Sequence, residues 1–261
     1  VGSGGHGIVR SDGKLNARRP KMATKKRRDL RSRRRDAPAA VMKNLTDCRL
    51  YTFVDSAYLH GKEPAEIARQ LCAGGSDLIQ LRAKNATVDD IERMAEAVLP
   101  ITRAAHVGLV INDHWDLTTR LGADICHLGQ EDFFDAGLKH KADLSTHTNS
   151  QLSTPLLGLS THAPEQAGRA IATDADYIAI GPIYATGTKP TAKPVTLDYV
   201  RWASENVKVP WFAIGGVNLS NLDDVMAAGA RRICVVSAIL NAPDIARACQ
   251  AFKNRLLSAP L

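Results

Sequence analysis

From residue 48 onward the chain repeats one unit eight times: a short apolar run rich in β-branched residues, then a stretch with amphipathic helical spacing. The expected strands cover residues 49–54, 78–82, 108–112, 125–129, 156–160, 177–181, 211–215 and 232–237. Helices are expected over 64–73, where Pro64 suits a first turn and Gly74-Gly75 a stop, and over 89–104, where Ile91, Met94, Ala95 and Val98 share a face. The stretches 164–172, 197–205, 219–228 and 245–257 follow the same logic, with shorter ones at 116–121 and 133–138. Eight alternations in about 210 residues meet the requirement of a closed (β/α)8 TIM barrel. An open doubly wound sheet would carry a Gly-rich phosphate turn after its first strand. Here that strand runs into Val54-Asp55-Ser56, and the glycine pair follows strand seven instead. The reading is an α/β chain with one barrel domain over residues 43–261.

Residues 1–42 read as a disordered basic extension. Within 1–40, thirteen Lys and Arg stand against three Asp, so the net +7 of the 261 residues leaves −3 on residues 41–261. The run RRPKMATKKRRDLRSRRRD (18–36) has almost nothing apolar to bury and repels itself. Three readings compete for it: an arm for nucleic acid or another acidic partner, a targeting presequence, or an upstream stretch carried along by a start-site assignment. Met22 and Met42 downstream of Val1 favour the third. The basic balance therefore belongs to the extension and is no argument that the body binds nucleic acid. Cys48, Cys72, Cys126, Cys234 and Cys249 show no CxxC spacing and read as small buried hydrophobes in a reduced, cytoplasmic compartment. No apolar run approaches the roughly 18 residues of a membrane helix, and residues 1–6 lack a signal core.

Barrel chemistry gathers at the C-terminal ends of the strands. Strand two ends Gln80-Leu81-Arg82-Ala83-Lys84, and alternation turns Gln80, Arg82 and Lys84 toward the axis together. A solvated rim accounts for either base alone but not for Gln80 between Ile79 and Leu81, because a buried amide needs partners. Strand three ends in Asn112-Asp113, and strand four in His127-Leu128-Gly129-Gln130-Glu131-Asp132. Asp113 and Asp132 are candidates for Mg²⁺, which takes one or two carboxylates, keeps waters and accepts substrate phosphates; each could instead cap the helix that follows. His127 has no second histidine at ligand spacing and reads as a substrate contact or as support for one. Strand five ends at Ser160-Thr161-His162. Strand six runs into a loop carrying Thr186, Thr188 and Lys189, able to bring the lysine onto a phosphate. Gly215-Gly216 after strand seven and Val236-Ser237 after strand eight stand where barrels commonly build a phosphate site from backbone N–H groups. Together these give two anion sites at one mouth. One is cationic with two acids, suited to a diphosphate. The other is glycine and hydroxyl, suited to a monophosphate.

The segments QLRAK (80–84), IND (111–113), HLGQED (127–132), GLSTH (158–162), GPIYATGTK (181–189), AIGGV (213–217) and VVSAI (235–239) resemble the thiamine-phosphate synthase family. They fall in that family's order over about residues 49–255. The resemblance implies a transferase of thiamine biosynthesis. Such an enzyme condenses 4-amino-2-methyl-5-hydroxymethylpyrimidine diphosphate with thiazole phosphate, giving thiamine phosphate and diphosphate with Mg²⁺ as cofactor. It also implies roles: Gln80 on the aminopyrimidine; Arg82, Lys84, Asn112, Ser160 and Lys189 on the diphosphate; Asp113 and Asp132 on Mg²⁺. Gly216 and Ser237, with Gly215 and Val236 beside them, fall to the thiazole phosphate, and Thr186 and Thr188 to the thiazole. Three features depart from the family. His114 replaces a common second acid, Ala185 stands where Pro is common, and residues 134–154 are longer and more polar than usual.

Three rivals remain. A thiazole-tautomerase relative shares the barrel but tends to lose the metal acids and the TxTK segment, both kept here. A phosphate-sugar isomerase or epimerase would need an acid–base pair at the mouth. A non-enzymatic barrel that binds nucleic acid would rest on the extension alone. The expected partners are the two small-molecule substrates, with no membrane and with nucleic acid only through the extension; a homo-oligomer is compatible with the sequence.

Overall fold

The computed structural model of the protein describes residues 42–147, 154–187 and 193–258. Eight parallel strands close into a barrel in chain order. They are β1 (Leu50–Asp55), β2 (Leu78–Arg82), β3 (Gly108–Asn112), β4 (Ile125–Leu128), β5 (Leu156–Thr161), β6 (Tyr177–Ile180), β7 (Trp211–Ala213) and β8 (Ile233–Cys234). Closure runs through Leu50↔Ile233 and Tyr51↔Cys234. Around them lie α1 (Pro64–Ala73), α2 (Val88–Ala104), α3 (Trp115–Leu121), α4 (Gln130–Asp135), α5 (Pro164–Ala172), α6 (Thr196–Asn206), α7 (Leu222–Ala227), the single turn α8 (Ser237–Leu240) and α9 (Ile245–Leu257). Local chemistry sets several starts and stops. Thr87 and Asp90 close a reciprocal capping box on α2, and Asp244 caps α9 by accepting from Arg247 N.

Where expected boundaries differ, backbone geometry gives the reason. β7 is shorter than 211–215 because Gly215 (φ 102°) and Gly216 (φ 67°) take left-handed conformations that no strand accommodates. β8 stops at Cys234, and Val236 turns the chain into α8. The helix expected from residue 219 starts at Leu222. Asn218 and Asn221 hold a turn first, with Asn221 Oδ1 accepting from Asn218 N at 2.8 Å and Asn218 Oδ1 from Ser220 N at 2.9 Å. The helix expected at 133–138 falls three residues earlier, between the Gly129 cap and Gly137 at φ 78°.

The N-terminal end of the barrel is tied by a repeated device. Asp77, Asp124 and Asp176 stand just before β2, β4 and β6, and each carboxylate accepts an N–H from the first two residues of the strand before: Leu50, Leu109 and Leu157, at 3.1, 2.9 and 2.7 Å. Asp77 also accepts from Arg49 N and pairs with the Lys43 and Lys253 ammonium groups, binding α9 to the barrel floor. These acids hold the scaffold at the face opposite the chemistry.

The long stretch after α4 is packed against the barrel wall. Residues Lys141–His147 form a 3-10 segment; Lys141 pairs with Asp176 at 2.6 Å, its N–H meets Thr173 O at 2.8 Å, and the Arg169 guanidinium lies 4.0 Å over the Phe134 ring. Residues 148–153 lie outside the described residues, as do residues 1–41 of the expected extension. Met42, placed in that extension from the sequence, packs against the core. All five cysteines are free thiols, and four are buried. Burial pushes Cys48, Cys126 and Cys249 up to about 12 and Cys72 to about 11, so none is poised as a thiolate nucleophile. Among the described residues, no helix is long and apolar enough to cross a membrane.

Candidate active site

A cavity of ≈ 330 Å³ opens at the C-terminal ends of the strands, within the size range of small-molecule sites. Of the fifteen residues singled out from the sequence, thirteen line it: Gln80, Arg82, Lys84, Asn112, Asp113, His127, Asp132, Ser160, Thr186, Gly215, Gly216, Val236 and Ser237. Thr188 and Lys189 lie outside the described residues.

Register explains the gathering. Phe53 pairs with Gln80 and Asp55 with Arg82 across β1 and β2, so all four side chains share the inner face. Gln80 is 3% exposed, and its Nε2 donates to Tyr51 Oη at 2.6 Å, the partner a buried amide demands. Arg82 Nη1 pairs with Asp55 Oδ2 at 2.7 Å, holding the guanidinium at the rim. Lys84, beyond the end of β2, is exposed.

Asn112 pairs with His127 across β3 and β4. Asp113, one residue on, sits at φ 64°, a conformation Asp tolerates better than most side chains. Its N–H donates to His127 O at 2.9 Å, and its Oδ2 accepts from Asn112 Nδ2 at 2.5 Å. The Asp132 carboxylate folds back over Gly129, where an added Cβ would lie 2.5 Å from Oδ2. Neither acid caps a helix. The N-cap positions of α3 and α4 are His114 and Gly129, and neither helix has a side-chain cap. The alternative structural role is therefore not the one these carboxylates play. Among the described residues, no three His, Cys, Asp or Glu side chains form a metal cluster of their own. A pair of carboxylates from adjoining strand ends fits Mg²⁺ better than a closed-ligand metal, because Mg²⁺ completes its shell with water and phosphate oxygens.

Gly215 and Gly216 serve the scaffold as well as the cavity. A Cβ on Gly215 would lie 2.4 Å from Pro182 Cβ, and one on Gly216 2.7 Å from Tyr184 Cβ. The loop after β6 thus lies directly on the loop after β7, joined by Ile183 N to Ile214 O at 2.8 Å and Tyr184 N to Gly215 O at 3.1 Å.

Several lining groups were not singled out from the sequence. Tyr51 and Phe53 alternate along β1 with Asp55, a signal that inward alternation carried. His162 also lines the cavity, its Nδ1 hydrogen-bonded to Gly181 O. Beneath them Tyr177, inside the apolar run of β6, gave no sequence signal. It is fully buried, 2.9 Å from His127 Nδ1, and packs edge-on against Tyr51 and Phe212.

A closed (β/α)8 barrel whose mouth carries a guanidinium, an ammonium group, two carboxylates and a glycine turn defines an enzyme of the TIM-barrel class. The family model described as thiamine monophosphate synthase matches residues 50–239. A thiamine-phosphate synthase of Thermus thermophilus is 45% identical over 185 residues, covering 70% of this chain and 84% of that protein. One from Acidothermus cellulolyticus is 38% identical over 218 residues, covering 83% and 98%. Among solved structures, a thiamine phosphate pyrophosphorylase of Pyrococcus furiosus superposes with a TM-score of 0.70 at 26% identity, covering 82% of this chain and 97% of that one. The chain belongs to the thiamine monophosphate synthase family.

Proposed function

We propose that the protein joins 4-amino-2-methyl-5-hydroxymethylpyrimidine diphosphate to thiazole phosphate, giving thiamine phosphate and diphosphate, with Mg²⁺ held by Asp113 and Asp132. The observation that carries this is the convergence of thirteen sequence-selected residues on one cavity in a chain of this family.

The chemistry asks little of a base or nucleophile. The bond between the pyrimidine methylene and the diphosphate oxygen breaks, and its electron pair leaves with the diphosphate. The amino-substituted ring stabilises the resulting cation. The thiazole nitrogen lone pair then forms the new C–N bond. The protein must hold the two reactants in line and stabilise charge as it develops on the leaving group. Arg82, Lys84, Asn112, Ser160 and Lys189 bind the diphosphate. Gln80 orients the aminopyrimidine, and Gly215, Gly216, Val236 and Ser237 hold the thiazole phosphate, with Thr186 and Thr188 along the ring. Mg²⁺, when bound, supplies Lewis-acid neutralisation of the leaving oxygens. Free thiols, four of the five buried, support a reducing, cytoplasmic setting.

The test mixes purified protein, Mg²⁺, the pyrimidine diphosphate and thiazole phosphate, and follows thiamine phosphate by its oxidised fluorescence with and without EDTA. Product that disappears with EDTA and returns with added Mg²⁺ is expected. Folded protein that binds thiazole phosphate yet makes no product would refute the coupling reaction and favour a tautomerase.

A further inference from the structure

An unbroken chain of hydrogen bonds crosses the barrel interior from Gln80 to Ser160. Gln80 Nε2 lies 2.6 Å from Tyr51 Oη, Tyr51 Oη 3.1 Å from Tyr177 Oη, Tyr177 Oη 2.9 Å from His127 Nδ1, and His127 Nε2 2.9 Å from Ser160 Oγ. Its direction follows from what each atom can do. An amide nitrogen only donates, so Tyr51 Oη accepts from Gln80; its own buried proton needs an acceptor, and of its hydrogen-bond partners only Tyr177 Oη can take it. Tyr177 then gives its proton to His127 Nδ1. A neutral imidazole that accepts at Nδ1 carries its proton at Nε2. That N–H donates to Ser160 Oγ, which leaves the Ser160 proton for the cavity.

The chain is built into the fold. His127, Gly158 and Tyr177 are partners in register across β4, β5 and β6. Gly158 supplies no side chain, so the Tyr177 phenol reaches across β5 to His127; a Cβ there would lie 2.4 Å from Oη. Tyr51 and Phe212 fix the Tyr177 ring edge-on, at centroid distances of 6.1 and 5.4 Å. Burial pushes both phenols well above their ordinary range, so both remain O–H groups.

We propose that Tyr177 is a positioning residue for the reaction: it fixes His127 as the Nε2–H tautomer, so that Ser160 offers a donor to the diphosphate. A diphosphate only accepts hydrogen bonds, so a serine aimed with its proton attracts it and one aimed with a lone pair repels it. The inference rests on the reading of Ser160 as a substrate contact.

Tyr177→Phe removes the relay and keeps the ring. We expect kcat/KM for the pyrimidine diphosphate to fall about tenfold, with KM for thiazole phosphate unchanged. In ¹⁵N-histidine-labelled protein, the His127 signal should lose its single Nε2–H form. In a Ser160→Ala background the same change should cost less than about twofold, because its effect passes through Ser160. Tyr51→Phe leaves the Tyr177 donor in place and should keep the Nε2–H form; should Tyr177→Phe fail to fold, the parent's own ¹⁵N signal decides, since a His127 with its proton on Nδ1 overturns the relay. An unchanged tautomer in Tyr177→Phe, or losses that multiply fully in the double variant, overturns the relay while leaving the substrate assignments standing. A Ser160→Ala variant with undiminished kcat/KM for the pyrimidine diphosphate instead refutes the Ser160 assignment, and the relay with it.

Discussion

Gly158→Ala tests the barrel interior with a single methyl group. The ideal Cβ would stand 2.2 Å from Tyr177 Cζ, 2.3 Å from Cε1 and 2.4 Å from Oη. The ring has nowhere to retreat: it is fully buried, edge-packed on Tyr51 and Phe212, and stacked on His127 at 5.6 Å. Forcing a methyl into so full a space costs about 1–3 kcal/mol. Pushing the phenol away also strips Tyr51 and His127 of a buried partner, about 1–3 kcal/mol more. The total is about 2–6 kcal/mol, and at about 2–4 °C per kcal/mol for a domain of this size Tm should drop by about 4–24 °C. Calorimetry of the variant against the parent measures this. Gly168→Ala is the control, since it lies in α5 with nothing within 4 Å of an added Cβ. It should be neutral or stabilise by up to about 1 kcal/mol. Adding Tyr177→Leu to Gly158→Ala should recover part of the loss by clearing the clash. A Gly158→Ala protein that melts within about 2 °C of the parent would refute the packing argument.

Three further outcomes follow. On the proposed assignment, Asp113→Ala and Lys189→Ala should each cut turnover at least about a hundredfold in a folded protein, since each would remove one charge assigned to the leaving group; steady-state rates showing less than about a fivefold loss would contradict those assignments. Burial works against ionisation of Asp77, yet Lys253, Lys43 and the N–H groups of Arg49 and Leu50 hold its carboxyl below the usual range. Its stabilisation is therefore complete above the unfolded value of about 4 and fades as pH falls through the lower folded value. In melts from pH 7 down to pH 2, Asp77→Asn should lower stability by about 2–4 kcal/mol at neutral pH and flatten the acid limb of the parent. Asp55→Asn leaves Arg82 without its buried ion partner, and KM for the pyrimidine diphosphate should rise with little change in KM for thiazole phosphate. A parallel rise in both constants would show that Asp55 supports the whole mouth and does not aim this one guanidinium.

The sequence by itself determined the barrel and most of its mouth. Eight alternations admit few closures, and inward alternation along a strand such as Gln80-Leu81-Arg82 assigns faces with no knowledge of neighbours. Polar residues at successive strand ends then had to converge, because a parallel barrel brings all its C-terminal ends to one rim. What lay beyond the sequence was whatever depends on which strands lie at the same level. Tyr177 in Tyr-Ile-Ala-Ile looks like any core aromatic. Its hydroxyl gains meaning only from His127 and Gly158 at its own height in the register and from Tyr51 across the interior. Gly215 and Gly216 looked like a ligand turn, yet they are also the seam that lets the loops after β6 and β7 touch. Asp55 closed a strand without advertising that it would hold Arg82. Periodicity fixes which way a side chain points; only closure of the barrel decides what it meets there.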